Sequence, residues 1–324
     1  MTKLIIQIPC LNEAATLPAA LADLPRTLPG IDVIEYLIID DGSTDGTSDV
    51  ARANGVHHIV RFRRHRGLAA AFMAGIDASL KAGADYIVNT DADNQYSGEH
   101  IGRLIEPLLT GESDIMIGDR NIQELRHMSW TKKLLQRVGS RIVRRVSNTA
   151  VPDTTSGFRA YTREAALRMT LVSDFSYTLE SIIQAGKSRM AIGHVEVATN
   201  AHTRPSRLFD SIFGYIKRSA ATIVRIYTMH EPLKVFSYVG AMFFLVGFGL
   251  ALRIVYYYFE GEANLHVAGA VAAAIVMIVG FQIVLFGLVA DAISGCRKLT
   301  EDTLYRLRKM ELDQLARDRK QGGN

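Results

Sequence analysis

Two long apolar runs near the C-terminus constrain the architecture of this 324-residue chain more than any other feature. Val235 to Phe259 and Val267 to Ala290 are almost entirely apolar, and each is longer than the about 20 residues that cross a hydrocarbon core as a helix. A buried core helix is the alternative for either run alone. Because the two runs are in tandem, joined by a short turn, residues 234–290 are predicted to form two transmembrane helices.

Charged residues around the two runs predict the orientation of this hairpin. Basic residues flank it on both sides: Lys217, Arg218, Arg225 and Lys234 before the first run, and Arg297 and Lys298 after the second. The connecting turn carries Glu260 and Glu262 and no lysine or arginine. Since cytoplasmic flanks are enriched in basic residues, we expect a multi-pass protein of the cell inner (plasma) membrane with both ends in the cytoplasm. Arg253 lies near the outer end of the first run, where it can snorkel to the interface or face a partner helix.

The segments on either side of the hairpin differ from it in polarity. Within residues 208–233, basic side chains are set among apolar ones at helical spacing, which predicts an amphipathic juxtamembrane helix in the membrane interface. An ordinary surface helix has the same pattern, but this one directly precedes a membrane run. Residues 291–324 are predicted to form a charged cytoplasmic tail that is helical as far as its glycines.

Residues 1–207 have the alternating pattern of an α/β domain. Short apolar runs predict strands at Leu4–Ile8, Tyr36–Ile39, Ile59–Phe62, Tyr86–Val88, Ile115–Ile117, Phe158–Tyr161 and Val195–Val197. Helical periodicity predicts helices at Ala14–Leu24, Thr47–Asn54, Gly67–Ala82, Ile101–Leu109, Lys132–Val146 and Tyr177–Ala185. This alternation predicts a mostly parallel central sheet covered on both faces. Polar clusters follow the strands, at the edge where such sheets bind ligands.

Composition and charge exclude several classes of protein. Cys10 and Cys296 lie far apart, so neither a disulfide framework nor a zinc site is expected, which fits a reducing compartment. The formal net charge of +4 is modest and no basic stripe with interleaved aromatics is present, so no nucleic-acid partner is expected. Strand-like sequence begins at Leu4, which argues against a cleavable signal peptide and predicts that residues 1–207 stay in the cytoplasm.

Asp91-Ala92-Asp93, at the end of a buried strand, has the chemistry of a divalent-cation site. Mg²⁺ takes oxygen ligands and commonly only one or two protein carboxylates together with substrate phosphates. Gln95 supplies an amide oxygen close by in the sequence. A lone Asp-x-Asp is also common in solvated loops, so the pair gains weight from its neighbours. Asp91, Asp93 and Gln95 are the candidate ligands for Mg²⁺ or Mn²⁺.

Two further polar clusters follow the first two strands. They are Pro9-Cys10-Leu11-Asn12-Glu13 and Asp40-Asp41-Gly42-Ser43-Thr44-Asp45. A carboxylate at either place can accept hydrogen bonds from a ribose or a base. The simpler alternatives are a helix start with an acidic first turn at Glu13, and an acidic turn in which Asp45 caps the next helix.

Together these motifs resemble the family 2 glycosyltransferases with a GT-A-type nucleotide-sugar-binding fold. The resemblance also rests on Arg66-Gly67-Leu68, Gly118-Asp119-Arg120, Asp153 to Arg159, and Arg204-Pro205-Ser206-Arg207-Leu208. It covers residues 4 to 290 and is similar to the polyprenyl-phosphate branch: dolichyl-phosphate mannosyltransferases and bacterial enzymes that charge undecaprenyl phosphate with one sugar. One departure is His65-Arg66-Gly67-Leu68-Ala69, where the family often has Asn-x-Gly-x-Gly. This loop is therefore a weak guide to the donor.

The resemblance implies roles for individual residues. It implies a nucleotide-sugar donor held by Pro9, Asn12, Glu13, Asp40, Asp41, Gly67, Asp91 and Ala92. It implies catalytic roles for Asp93, Arg120, Arg204 and Asp153, and acceptor-phosphate contacts for Lys133, Arg204 and Arg207. Arginine suits such sites because its planar fork matches phosphate oxygens. Lys133 has a solvated helix face as its alternative, and Asp153 is either a base or the partner of Arg159 or Arg204.

The implied reaction transfers one sugar from a nucleotide-sugar to a polyprenyl phosphate in the membrane. A UDP-sugar is the first choice of donor, and a GDP-sugar is the other. A lipid phosphate is already anionic at neutral pH, since the second pKa of a phosphomonoester is about 6, so no strong base is required. Direct displacement with inversion is expected, supported by cations that hold the phosphates together. Related enzymes further imply a homo-oligomer.

Two alternatives stay open at this point. A processive polysaccharide synthase of the same superfamily carries Gln-x-x-Arg-Trp, whereas the single tryptophan here, Trp130, lacks the glutamine and has its arginine at Arg126. Two membrane helices are also few for a translocation channel. A non-catalytic nucleotide-binding membrane scaffold is the second alternative, and the intact Asp91, Asp93 and Gln95 argue against it.

Overall fold

Seven strands form one mixed sheet in the order β3-β2-β1-β4-β6-β5-β7. The computed structural model describes residues 1–120, 130–171, 177–200, 212–260 and 267–322. The strands are β1 (Lys3–Cys10), β2 (Val33–Asp40), β3 (His58–Arg61), β4 (Tyr86–Asn89), β5 (Ile115–Asp119), β6 (Arg159–Thr162) and β7 (Ile192–Glu196). β6 runs antiparallel to both of its neighbours, and the other pairs are parallel. The mostly parallel sheet predicted from the sequence is confirmed.

The helices connect these strands and then leave the sheet. In the first part of the chain they are α1 (Leu17–Asp23), α2 (Thr47–Ala53), α3 (Leu68–Lys81), α4 (Ile101–Leu109), α5 (Trp130–Ser147), α6 (Arg163–Arg168) and α7 (Tyr177–Lys187). They are followed by α8 (Ile212–His230), α9 (Pro232–Phe259) and α10 (Val267–Gly322). Every helix predicted from periodicity is present. The six-residue α6 was not predicted, because so short a segment shows too little periodicity.

The start of α1 differs from the predicted start at Ala14. Asn12 adopts a left-handed φ of 55°, and the carbonyl oxygen of Glu13 accepts hydrogen bonds from the N–H groups of Thr16 and Leu17. The chain therefore completes a turn before the helix begins at Leu17. Apolar spacing alone does not reveal this turn, which shapes the loop after β1.

The chain forms two compact units, one of Met1–Ile223 with Thr303–Asn324 and one of Val224–Asp302. Within the second unit, α9 and α10 are long and apolar enough to cross a membrane. They pack through glycines: a Cβ added at Gly240 would lie 2.6 Å from the carbonyl oxygen of Gly280. Such close backbone contact is typical of membrane helix pairs. Large apolar side chains along both helices are exposed, among them Leu245, Val246, Val255, Phe281 and Phe286.

The charged tail is not a separate element. α10 runs unbroken from Val267 to Gly322. The helical tail predicted from the sequence is confirmed as far as its glycines. Near its end, the guanidinium of Arg308 donates to the carbonyl oxygens of Leu167 at 3.3 Å and Met169 at 2.9 Å. These carbonyls end α6, where helical partners are missing, so Arg308 caps that helix.

We expect Arg308→Met to lower the free energy of unfolding by about 1–3 kcal/mol, because the two carbonyls lose a charged donor. Hydrogen-exchange mass spectrometry on the full-length protein in detergent checks this, and residues 163–169 should exchange faster. Arg317→Met removes an exposed cation from the same helix and should leave exchange unchanged. Equal exchange in both variants would contradict the docking of the tail on α6.

Candidate functional site

The carboxyl edge of the sheet gathers the polar residues predicted for the site. Asp40 ends β2 beside Cys10 of β1, and Asn89 ends β4 beside Gln7 of β1. Asp119 ends β5. Because these strands are parallel in direction, the loops that follow them leave the sheet at one edge.

A fixed turn after β4 presents the predicted metal ligands. Asp93 Oδ1 accepts a hydrogen bond from the Gln95 N–H at 3.1 Å. Asn200, which is distant in sequence, stabilises the turn with two hydrogen bonds. Its N–H donates to the Gln95 carbonyl at 2.9 Å, and its Nδ2 donates to the Asn94 carbonyl at 2.9 Å. Ala92 is buried. The structure therefore brings Asp91, Asp93 and Gln95 together in one turn.

The electrostatics of this turn suit a cation. Burial raises the pKa of Asp91 to about 6, the charge of Asp93 adds to the rise, and Arg120 opposes it. Among the described residues, no cluster of three or more His, Cys, Asp or Glu side chains is placed to hold a metal ion. Two carboxylates with the Gln95 amide oxygen fit Mg²⁺ or Mn²⁺, which take few protein ligands when substrate phosphates complete the coordination shell.

A buried polar network beneath Asp91 is not evident from the sequence. Gln7 Nε2 donates to Asn89 Oδ1 at 2.9 Å, and Asn89 Nδ2 donates to the Gly157 carbonyl at 2.8 Å and to Tyr177 Oη at 3.1 Å. The three side chains are fully buried. The sequence did contain one signal of this network, the amide side chains of Gln7 and Asn89 within apolar strands, because buried amides require hydrogen-bond partners. The network fixes the backbone at Gly157 against Asp91.

Arg120 and Asp153 form a bidentate ion pair at the carboxyl edge of the sheet. Arg120 Nε donates to Asp153 Oδ2 at 2.6 Å, and Nη2 donates to Asp153 Oδ1 at 3.1 Å and to Thr155 Oγ1 at 2.8 Å. Burial alone would raise the pKa of Asp153, but the charge and hydrogen bonds of Arg120 and those of Thr155 hold it below its ordinary value. The pair orients the Arg120 guanidinium. From the sequence, Arg120 was not considered as a partner of Asp153.

The carboxylates of Asp40 and Asp41 are buried, at 0% and 3% exposure. Asp40 Oδ1 accepts from the Ser43 N–H at 2.7 Å. Asp41 accepts from the N–H groups of Arg66 at 2.7 Å and Gly67 at 2.9 Å. Both carboxylates thus hold loops of the edge in place. Contact of Asp40, Asp41 and Gly67 with the donor stays a prediction. For the two aspartates, such a contact would use the carboxylate lone pairs that these hydrogen bonds do not occupy.

The loop after β1 is joined to the loop after β2. The bonds run from the N–H groups of Asn12, Glu13 and Ala14 to the side chains of Ser43, Thr47 and Asp45 at 2.9, 3.0 and 2.9 Å. Asp45 Oδ1 also accepts from the Thr47 N–H at 3.0 Å, but the N-cap of α2 is Gly46, with φ of 82°, so the expectation that Asp45 caps this helix is wrong. Pro9, Asn12 and Glu13 lie at this edge as predicted, and their contact with the donor stays a prediction.

Three predicted phosphate-binding residues cannot be placed in the site. The side chain of Lys133, on α5, and the residues Arg204 and Arg207 lie outside the part that the structure describes. Their roles stay predictions. Asn200 is the last described residue before the segment that carries Arg204 and Arg207. It is hydrogen-bonded to the turn at Asn94 and Gln95.

The sheet order and the carboxylate pair at its carboxyl edge define a GT-A-like glycosyltransferase domain. The chain belongs to glycosyl transferase family 2, whose model matches residues 5–169. A second model, described as the GtrB C-terminal hairpin, matches residues 231–296, the region of α9 and α10. The family and the fold class predicted from the sequence are both confirmed.

Several curated relatives are similar to this chain. Glycosyltransferase AglJ of Haloferax volcanii is 29% identical over 94% of this chain and 97% of its own length. Polyprenol monophosphomannose synthase of Mycolicibacterium smegmatis is 29% identical over 52% of this chain and 65% of its own. Undecaprenyl-phosphate mannosyltransferase of Micrococcus luteus is 32% identical over 49% and 66%. The chain thus spans about two thirds of the last two relatives, and the resemblance to the polyprenyl-phosphate branch is confirmed.

Solved structures support the fold. Glucosyl-3-phosphoglycerate synthase from Mycobacterium tuberculosis, in complex with Mn²⁺, uridine diphosphate and phosphoglyceric acid, matches with a TM-score of 0.56. The sequences are 20% identical, and the match covers 70% of this chain and 78% of that one. The same synthase with Mg²⁺ and uridine diphosphate matches with a TM-score of 0.53. At this identity the likeness shows the fold alone.

Gly157 leaves little room for a side chain beside Asp91. A Cβ at this position would lie 3.1 Å from both carboxylate oxygens of Asp91 and 3.0 Å from Tyr177 Oη. We expect Gly157→Ala to lower kcat for sugar transfer about tenfold, because a small misplacement of a reacting group is costly, while the melting temperature changes little. Gly139→Ala, where an added Cβ meets open space, is the matched control. A native kcat in Gly157→Ala would contradict the placement of Asp91 in the active site.

Proposed function

We propose that this chain transfers a single sugar from a UDP-sugar to polyprenyl (undecaprenyl) phosphate at the cytoplasmic face of the membrane, with a divalent cation and with inversion at the anomeric carbon. The observation that carries the proposal is the presence in one chain of the Asp91–Asp93 turn and the apolar hairpin of α9 and α10. A soluble donor and a membrane-held acceptor require both parts.

The acceptor follows from chemistry and from the relatives. Two relatives, polyprenol monophosphomannose synthase and undecaprenyl-phosphate mannosyltransferase, are named for such a lipid phosphate. A lipid phosphate is an anionic nucleophile at neutral pH and requires no proton removal. In agreement, Asp153 is 1% exposed and its oxygens are bonded to Arg120 and Thr155, which favours a positioning role over that of a base.

In the proposed step, a phosphate oxygen of the lipid attacks the anomeric carbon of the donor sugar. The bond from that carbon to the diphosphate oxygen breaks, and its electron pair leaves with the nucleoside diphosphate. One displacement at carbon inverts the configuration. Arg120 holds an anionic phosphate near the reacting atoms, and the turn at Asp91 and Asp93 positions the diphosphate. A bound Mg²⁺ or Mn²⁺, held by Asp91, Asp93 and Gln95, would neutralise charge on the leaving group.

The membrane arrangement is part of the proposal. Exposed apolar side chains along both helices of the α9–α10 hairpin suit a lipid environment, and basic flanks favour cytoplasmic ends. Such a topology leaves the active site on the cytoplasmic side. A homo-oligomer is also proposed, and native mass spectrometry in mild detergent tests it: a single monomeric mass would contradict it.

The reaction is tested with purified full-length protein, Mn²⁺ or Mg²⁺, undecaprenyl phosphate and a panel of UDP- and GDP-sugars. Mass spectrometry should find one glycolipid product with one UDP-sugar, absent when a chelator is added. NMR of the product from an α-linked donor should show a β-linkage. A retained α-linkage would overturn the displacement, and a product only with GDP-sugars would overturn the donor assignment.

A further inference from the structure

The loop after β3 carries an unusual concentration of positive charge that the proposed reaction does not use. Residues 61–66 are Arg-Phe-Arg-Arg-His-Arg, with four arginines and no acidic residue. Their charge of +4 equals the formal net charge of the whole chain, so the remaining residues sum to zero. Such a local surplus on a neutral remainder favours an anionic partner.

The loop is held in a fixed shape against the loop after β2. The Phe62 N–H donates to the Asp40 carbonyl oxygen at 2.8 Å, and the Arg66 N–H donates to Asp41 Oδ1 at 2.7 Å. Gly42, with φ of 80°, approaches so closely that an added Cβ would lie 2.6 Å from the loop backbone. The cations are therefore presented by an ordered backbone, which lowers the entropy lost when they bind a partner.

Two arginines of the loop are available to such a partner. Arg61 and His65 already lie 3.5 and 2.8 Å from carboxylate oxygens at the end of β2. Arg63 and Arg64 are exposed, and in the part of the chain that the structure describes no carboxylate pairs with either. Their two charges face water without compensation.

Arg63 and Arg64 lie at the carboxyl edge of the sheet but away from the proposed position of the reacting phosphates. β3 runs parallel to β4 and is separated from it by β2 and β1. Three strand spacings are about 14 Å, so the end of β3 lies well to the side of the Asp91–Asp93 turn. This places Arg63 and Arg64 beyond the donor diphosphate, on the same edge that the acceptor must reach.

We propose that Arg63 and Arg64 bind anionic lipid headgroups and thereby dock the carboxyl edge of the catalytic sheet on the membrane surface. The inference rests on the proposed function, because a membrane-held acceptor requires this edge to meet the bilayer. Basic residues near an anionic leaflet gain attraction from its surface potential. Removing both arginines is expected to weaken docking about 25-fold, at about fivefold each.

Full-length protein in nanodiscs tests this by hydrogen-exchange mass spectrometry without donor or acceptor. One set of discs contains only neutral phosphatidylcholine, and the other contains roughly one third phosphatidylglycerol. In the native protein, residues 61–66 should exchange more slowly in the anionic discs, and salt of about 1 M should remove the difference. Arg63→Gln/Arg64→Gln should exchange equally in both. The control Arg52→Gln/Arg189→Gln removes the same charge from the last turn of α2 and from the turn before β7, at the opposite edge, and should keep the native difference.

Equal exchange of the native loop in both discs would overturn the proposal, as would full protection in the Arg63→Gln/Arg64→Gln variant or its loss in the control. The exchange measurement needs no turnover, so its failure is distinct from a failure of the proposed reaction. Transfer to a short-chain, water-soluble lipid phosphate in detergent should be within about twofold of native in the double variant. A larger loss there would assign the arginines to the donor or acceptor site instead.

Discussion

Asp91→Asn is expected to abolish sugar transfer and, without metal, to stabilise the protein. Burial and the charge of Asp93 raise the pKa of Asp91 to about 6, above about 3.9 in an unfolded chain. The folded protein therefore holds an extra proton between these values, and the stability from this group is lost as the pH rises through 6. At pH 7.5 the ionised carboxylate costs up to about 3 kcal/mol, less the effect of its partial exposure. The neutral amide avoids this cost.

Two measurements check this expectation at pH 7.5. Transfer should fall about 10³-fold or more, because leaving-group stabilisation depends on the site. The melting temperature in chelator should rise in the variant, and added Mn²⁺ should raise it in the native protein alone. Asp77→Asn, an exposed carboxylate on α3, is the matched control and should behave as native. A variant that retains more than about a tenth of native transfer would contradict the metal-site assignment.

Asp153→Ala is expected to lower the free energy of unfolding by about 3 kcal/mol or more, because it leaves the largely buried guanidinium of Arg120 without its carboxylate. Transfer should fall with it, since Arg120 loses its orientation. The double variant Arg120→Met/Asp153→Leu removes both charges and should recover most of the stability. It should nevertheless stay about 10²-fold below native in transfer, because the phosphate loses its guanidinium.

The comparison of single and double variants separates stability from chemistry. Thermal unfolding and transfer rates of Arg120→Met, Asp153→Leu, the double variant and the native protein complete a double-mutant cycle. Removing Asp77 from its surface pair with Lys81 is the control, with an expected cost below about 1 kcal/mol. A double variant as unstable as Asp153→Ala would contradict the ion-pair origin of the loss. A double variant with native transfer would remove Arg120 from the reaction.

The grouping of polar residues at the carboxyl edge of the sheet was predictable, because an apolar run followed by a polar cluster is a local sequence pattern. The turn at Asp91 and Asp93 follows a short apolar run, and parallel strands bring such turns to one edge. The family assignment rests on the same motifs and is confirmed. The two apolar helices were evident from length and composition alone, as α9 and α10 show.

What the sequence did not reveal depends on contacts between distant residues. The antiparallel β6 brings Gly157 to Asn89 and Asp91, and no local pattern encodes that pairing. Arg159 was a candidate partner for Asp153, yet its guanidinium is buried and donates to the Ser156 carbonyl. Partner choice among several arginines is set by the tertiary fold, so spacing along the chain cannot decide it.

The central claim is that the sugar itself moves to a lipid phosphate oxygen. It is tested by incubating full-length protein with Mn²⁺, a UDP-sugar and undecaprenyl phosphate, and measuring lipid product and released nucleotide in the same sample. The account predicts one sugar added per lipid phosphate and one uridine diphosphate released, with neither formed by the Asp91→Asn variant. Release of uridine monophosphate, with a sugar linked to the lipid through two phosphates, would contradict it. So would release of uridine diphosphate without a glycolipid.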